Sequence, residues 1–430
     1  MPLSLIFRCG AILSHIRPPG RPVAYPDSGP VPPSPPDRRT LAGLLGVSLA
    51  SLALPGCGYF DDKTRTASPR TTGSAKPSSR TIGTGAVKVA LLLPLTGSPQ
   101  GGATATSLRD AAELAMGELQ APNLKLLVKD DRGTPEGARE AARAALAEGA
   151  ELILGPLFAP AVGEVAAVAS PARVPVLAFS TDAAVARRGV YLLSFMPQSE
   201  VERLMDHAAE HGKRAIASLV PETAYGLVVE GQFREAAARR GIAVAGAERY
   251  RPGEPGPAVG RLASLWSGGG RPSIDGLLLP DGGDGLALAG DALMAARFDP
   301  RRVRPLGTGV WNDPRALAVP AVAGGWFAAP EAAGFNSFAE RYRARFGSAP
   351  ARIATLSYDA VSLAAAMADG GKGRITEAAL ENPAGFAGAD GVFRLRADGV
   401  NERALAILEV RNGTAAIVSP APKALGPSGA

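Results

Sequence analysis

Val87-Lys88-Val89-Ala90-Leu91-Leu92-Leu93 is an apolar run stopped by Pro94 and Gly97. Seven residues without polar alternation fit a strand buried on both faces, as in parallel sheets covered by helices. The chain beyond keeps that rhythm. Ser107-Leu108-Arg109-Asp110 has the form of a capping box, and Leu108, Ala111, Ala112, Ala115 and Leu119 share one helical face. Leu124–Val128 reads as the next strand. Thr134-Pro135-Glu136 then offers an N-cap, a proline at the first helical position and an acid on the helix dipole, which predicts a helix running to Gly149. Further strands are expected at Glu151–Leu154, Val176–Phe179, Ala215–Val220 and Gly276–Leu279, with helices near Glu200–His211 and Gly231–Arg240. Such alternation predicts an α/β fold with parallel-sheet cores. Leu91-Leu92-Leu93-Pro94 and Leu277-Leu278-Leu279-Pro280 end alike, a local similarity expected of two related lobes.

Charge is unevenly placed. The 430 residues carry 46 Lys+Arg and 40 Asp+Glu, a net of +6. Ten of the basic and four of the acidic side chains lie in residues 1–86, so residues 87–430 are neutral. A basic chain invites a nucleic-acid reading, but here the basicity belongs to the N-terminal segment, and no nucleic-acid partner is expected. Both cysteines, Cys9 and Cys57, also lie there. The remainder therefore has no disulfide, thiolate metal site or cysteine nucleophile. Its length exceeds one typical core and suggests two.

Arg38-Arg39 precedes an apolar run from Leu41 to Leu54, followed by Leu54-Pro55-Gly56-Cys57. A positive segment, a short apolar stretch and small residues before a cleavage point make a secretory signal. At 14 residues the run falls short of the roughly 20 that span a bilayer as a helix. Leu54–Cys57 resembles a bacterial lipobox, whose cysteine is lipidated and becomes the mature N-terminus, so Cys57 is the expected lipidation site. Arg38-Arg39-Thr40-Leu41 only partly resembles a twin-arginine export signal. Residues 1–36 are Pro-rich without periodicity and read as an over-extended start. Residues 58–86, rich in Ser, Thr, Gly and Arg, read as a flexible tether.

Val89-Ala90-Leu91-Leu92-Leu93-Pro94-Leu95-Thr96-Gly97 resembles the opening of the leucine-binding family of type I periplasmic solute-binding proteins. Leu154-Gly155-Pro156, Val174–Ser180, Ala224-Tyr225-Gly226 and Ser357-Tyr358-Asp359-Ala360-Val361 are similar to that family in the same order, over about residues 87–415. The resemblance implies two Rossmann-like α/β lobes joined by three crossovers near residues 197, 328 and 373, closing on a ligand. The expected division is 1–56 signal region, 57–86 lipidated Cys and tether, 87–197 plus 329–372 lobe I, 198–328 plus 373–418 lobe II, and 419–430 tail. It implies a non-enzymatic, lipid-anchored periplasmic protein that binds a small polar, amino-acid-like ligand without a cofactor and serves an ABC permease.

Ligands of open α/β sheets sit beyond the carboxyl ends of the strands, where helix N-termini present free N–H groups. Loops there include Thr96, Phe158, Ala159, Ser180, Thr181, Asp182, Asn312 and Asp313. By the resemblance, Ser180 and Thr181 meet the ligand, Tyr225 contributes from the second lobe, and Asn312 or Asp313 receives an amine. Structural roles in capping and packing are the competing reading for all of them. Two departures weigh against standard α-amino-acid recognition. Phe158-Ala159 replaces a common hydroxyl and would narrow the cleft, and Asp182 replaces a common Thr and would repel a ligand carboxylate. Gly155-Pro156-Leu157-Phe158 and Gly307–Asp313 are also similar to penicillin-binding-protein activator lipoproteins, which implies an alternative: stimulation of a peptidoglycan synthase by contact.

Enzyme signals are weak. His207-Ala208-Ala209-Glu210-His211 matches an H-x-x-E-H pattern, but the one other histidine is His15, so a solvated helix face is the expected reading and no metal site is expected. Gly283-Asp284-Gly285 lacks the third glycine of a dinucleotide loop. Arg341, Arg343 and Arg345 form a short basic cluster, and Phe335, Phe338, Tyr342 and Phe346 recur at helical spacing on the other side, which predicts a solvated face over a core face.

Overall fold

The computed structural model describes residues 80–97, 99–267, 270–370 and 375–426. The expected signal sequence, Cys57 and most of the expected tether lie outside these residues. Residues 72–430 form one compact unit, to which all the described residues belong.

The first sheet contains β1 (Arg80–Ile82), β2 (Val87–Leu93), β3 (Leu124–Asp130), β4 (Leu152–Leu154), β5 (Val176–Ala178) and β6 (Val190–Leu192), in the order β1-β3-β2-β4-β5-β6. All neighbours run parallel except β1, which pairs antiparallel with β3. The expected tether therefore ends before Arg80, because the backbone of Arg80–Ile82 finds partners on the sheet edge. Leu91, Leu92 and Leu93 are fully buried, and each such burial stabilises by about 1.5–3 kcal/mol. Helices α1 (Pro99–Glu118), α2 (Pro135–Ala147) and α3 (Ala159–Ala169) connect these strands. Helix α2 starts at the expected cap: the Thr134 hydroxyl accepts the Gly137 N–H at 3.0 Å. Helix α1 starts eight residues before Ser107, so that serine is no cap; its hydroxyl accepts the Ala351 N–H at 2.8 Å.

The chain then enters a second set of elements: α4 (Pro197–Glu210), β7 (Ala215–Pro221), α5 (Ala224–Arg239), β8 (Ala243–Tyr250), α6 (Gly256–Leu262), β9 (Gly276–Leu278), α7 (Gly283–Ala295), β10 (Arg304–Gly307), α8 (Pro314–Leu317) and β11 (Trp326–Ala329). Next, α9 (Ala332–Phe346), α10 (Ala354–Gly370) and α11 (Glu377–Leu380) precede a small antiparallel sheet of β12 (Phe386–Gly388), β13 (Gly391–Leu395) and β14 (Asn401–Arg403). Finally β15 (Ala406–Arg411) and β16 (Thr414–Ser419) complete the second large sheet, ordered β16-β15-β11-β10-β9-β7-β8.

Both large sheets contain one pattern of parallel strands. Order β3-β2-β4-β5-β6 in the first matches β8-β7-β9-β10-β11 in the second, each a doubly wound 2-1-3-4-5 arrangement. Helices cover both faces. Buried residues of α1 and α10 pack on one side of the first sheet and those of α2 and α3 on the other. Helices α6 and α7 cover one side of the second, α4 and α5 the other.

The chain passes between the sheets after β6, after β11 and between β14 and β15. A crossover near residue 373 was the expectation; it falls instead at Ala404-Leu405. Ile375, Leu380, Phe393 and Leu395 are buried in the first core, and the chain reaches the second sheet only when Ala406–Glu409 pairs with β11. Residues 375–403 therefore belong with lobe I. The expected tail also touches lobe I, through an Ala421 N–H donated to Glu331 at 2.9 Å and an Arg394 guanidinium donating to the Gly426 carbonyl at 2.6 Å.

Candidate functional site

In each lobe the strand order reverses about one central pair, β2/β4 in the first and β7/β9 in the second. The loops leaving those strands diverge there and open a crevice. In lobe I these are Pro94–Gly97 after β2 and Gly155–Phe158 after β4. Gly155 has φ +84°, and a Cβ there would lie 2.1 Å from the Leu92 carbonyl oxygen, so only glycine lets the β4 loop approach β2 so closely.

Asp130, at the end of β3, organises the first loop. Its carboxylate accepts the Leu95 N–H at 3.0 Å, the Thr96 N–H at 3.2 Å and the Thr96 hydroxyl at 2.6 Å. Thr96 is thus fixed by a carboxylate 34 residues away. Beside it, burial raises the Asp131 carboxyl to about 6, against the Gly133 N–H that lowers it. Phe158 is exposed, immediately before α3, and Ala159 opens that helix. Phe158 leaves the α3 N-terminus without a side-chain cap; Pro160 has no N–H, and the Ala161 and Val162 N–H groups bond to the Phe158 carbonyl at 3.0 and 3.1 Å, so of the first turn the Ala159 N–H is left for a ligand.

Ser180 and Asp182 shape the loop after β5. The buried Ser180 hydroxyl accepts the Asp182 N–H at 3.1 Å. Asp182 Oδ1 accepts the Ala184 N–H at 3.0 Å and caps the 3-10 turn Ala183–Val185. Thr181, between them, is exposed.

In lobe II, Tyr225 occupies the first turn of α5, capped by Thr223. Its hydroxyl donates to Thr308 Oγ1 at 2.7 Å, just beyond β10. Glu200, buried in the first turn of α4, accepts the Gly309 N–H at 2.9 Å, and its charge acts on Tyr225. Burial lifts the Glu200 carboxyl to about 7, opposed by the Gly309 N–H, the Arg352 charge and Tyr225. Burial and the Glu200 charge push the Tyr225 phenol up. The Arg352 side chain comes from lobe I; it forms a two-pronged pair with Asp390 at 2.7 and 2.9 Å and lies over the rings of Phe195 and Phe335.

Asn312 and Asp313 follow a short 3-10 turn whose Trp311 is buried and donates Nε1–H to the Leu279 carbonyl at 3.1 Å. Asp313 caps α8 by accepting the Arg315 N–H at 2.8 Å, and its charge meets the Arg315 side chain at 3.3 Å. Asn312 is half-buried next to it. Of the residues expected from the sequence, Thr96, Ser180, Asp182 and Asp313 each hold a loop or cap locally, while Tyr225 joins a cluster. The cluster's other members, Glu200, Thr308 and Arg352, were not expected. One signal pointed at Glu200: Pro197 suits a first helical position, which places Glu200 in the first turn of a helix.

This arrangement offers a buried carboxyl, a phenol and a threonine hydroxyl from lobe II, with a guanidinium from lobe I nearby. These groups pair with charged and hydroxyl-bearing solutes.

The family model described as periplasmic binding protein matches residues 86–415. A candidate branched-chain amino acid ABC transporter from Rhodospirillum rubrum is similar at 21% identity and TM-score 0.68, over 77% of this chain and 99% of that one. The leucine-, isoleucine-, valine-, threonine- and alanine-binding protein from Brucella ovis, in its closed conformation, is similar at 18% identity and TM-score 0.62, over 79% and 95%. A Rhodopseudomonas palustris solute-binding protein of an ABC transporter, in complex with 3,4-dihydroxybenzoic acid, is similar at 18% identity and TM-score 0.58, over 79% and 97%. At these identities the likeness is one of fold. No curated protein matches.

Proposed function

The chain belongs to the periplasmic binding protein family, and from that premise we propose that it is a non-enzymatic, lipid-anchored receptor that closes its two lobes on a small organic carboxylate and delivers it to an ABC permease. Among the described residues no helix is long and apolar enough to cross a membrane; in this reading the tie to the membrane is a lipid on Cys57.

One observation supports the reading most: the grouping of Glu200, Tyr225 and Thr308 at the carboxyl edge of lobe II, with the charge of Arg352 from lobe I acting on Glu200. An acid, a phenol and a hydroxyl recognise amine and hydroxyl groups, while the Ala159 N–H at the uncapped start of α3 suits a carboxylate oxygen. The exposed Phe158 in lobe I and Val310 in lobe II add apolar surface for the body of such a molecule. The ligand is in this view amino-acid-like, with aromatic acids as the nearest alternative, since the similar structures include binders of both kinds.

Thermal-shift screening of the full chain against amino acids and benzoates tests this, because a ligand of the folded state raises the melting temperature by mass action. A concentration-dependent rise with at least one such acid is expected. No rise with any of them, together with retention of a bifunctional penicillin-binding protein on the immobilised chain, would overturn the receptor reading.

A further inference from the structure

We propose that His207, Glu210 and His211, at the C-terminal end of α4, form a binding site for a nitrogen-seeking divalent transition metal, with Zn2+ as the reference ion. One ligand atom from each of the three lies within 4.8 Å of the other two. Spacings of three and four residues put them on one helical face.

The site differs from the solvated face expected of the sequence. His207 is buried, packed edge-on against Trp326 with ring centroids 4.7 Å apart, and the His211 ring lies 4.0 Å from it. His207 Nε2 is a buried nitrogen with no hydrogen-bond partner. Buried polar atoms are nearly always satisfied, and an ion is one of the groups that satisfies them. His211 Nδ1 donates to the His207 carbonyl oxygen at 2.8 Å. A neutral ring that donates through Nδ1 keeps its lone pair on Nε2, and a backbone carbonyl is a common orienting partner of a ligating histidine.

Rigidity and charge narrow the choice of ion. Trp326 is pinned by an Nε1–H bond to Glu409 at 3.1 Å, and Arg304 lies over its face at 4.5 Å. Lys213 approaches the same ring at 5.7 Å. The donor set of two imidazoles and one carboxylate disfavours Ca2+ and Mg2+, which need several oxygen ligands, while the Arg304 and Lys213 charges oppose any cation and lower the affinity. Two histidines and one carboxylate suit zinc and leave a fourth position for water.

The test uses the full chain, stripped with chelator and titrated with Zn2+ alone by calorimetry. One equivalent is expected to bind. His211→Ala, at an exposed position, should lose that equivalent, and Glu210→Gln should weaken it at least threefold. Ni2+ should quench tryptophan fluorescence in the parent chain and much less in Trp326→Phe, reporting that the ion sits beside that ring. Absence of a bound equivalent would overturn the proposal. So would an equivalent that persists in His211→Ala.

Discussion

The Glu200 carboxylate accepts the Gly309 N–H at 2.9 Å, across 109 residues of sequence. This contact joins the first turn of α4 to the loop after β10, and it brings a buried acid beside Tyr225 and Thr308. Three predictions concern this cluster and the ion pair behind it.

Stability should fall as the pH rises. Burial raises Glu200 and Asp359 to about 7. A folded-state value above the unfolded one means that the folded chain holds those protons more tightly. The stability so gained is fully present below the unfolded value of about 4 and is lost as the pH passes through about 7. Urea unfolding at pH 5 and pH 8 should show the lower midpoint at pH 8. Glu200→Gln should reduce that difference and raise the midpoint at pH 8 by removing up to about 3 kcal/mol of penalty. An unchanged difference in Glu200→Gln would assign the slope elsewhere.

Tyr225→Phe removes the hydrogen bond to Thr308 and leaves the ring in place. The expected cost in stability is about 1 kcal/mol, measured by denaturant unfolding. A larger effect is expected on the ligand, with affinity reduced about tenfold through loss of one hydrogen bond to a charged group.

Arg352→Met should destabilise by about 3–5 kcal/mol, because it leaves Asp390, whose side chain is fully buried, with the Thr355 hydroxyl but without the guanidinium that offsets its charge. Arg352→Met combined with Asp390→Leu should recover much of that loss. A double-mutant cycle measures the coupling; purely additive effects would show that the pair is energetically independent.

Asp182→Thr keeps an oxygen that can cap the Ala183–Val185 turn, so stability should change by less than about 1 kcal/mol. Removing the negative charge should tighten binding of a carboxylate ligand in a parallel titration. Weaker binding would instead assign Asp182 to a cationic group of the ligand.

Local patterns carried the fold well. Val87–Leu93 was legible because a long apolar run has few other uses, and Thr134-Pro135 because capping is a short-range interaction. Ser107 misled because its hydroxyl serves Ala351, 244 residues away, and no local rule reports that partner. The third crossover misled for a similar reason: Phe393 and Leu395 join a core built mostly from residues before 200, so the chain changes lobe later than expected. Of the proposed site, Tyr225 is the member that the resemblance implies. Glu200, Thr308 and Arg352 acquire their roles from contacts between distant segments. His207 likewise looked solvated until Trp326, on β11, covered it.

The most direct test of the account is a calorimetric titration of the full chain with the best acid from the thermal-shift screen, run beside Tyr225→Phe and Glu200→Ala. The account predicts one ligand per chain, with affinity lowered about tenfold or more in both variants. Equal affinity in all three proteins would contradict it, since the ligand would then bind away from the Glu200–Tyr225–Thr308 cluster.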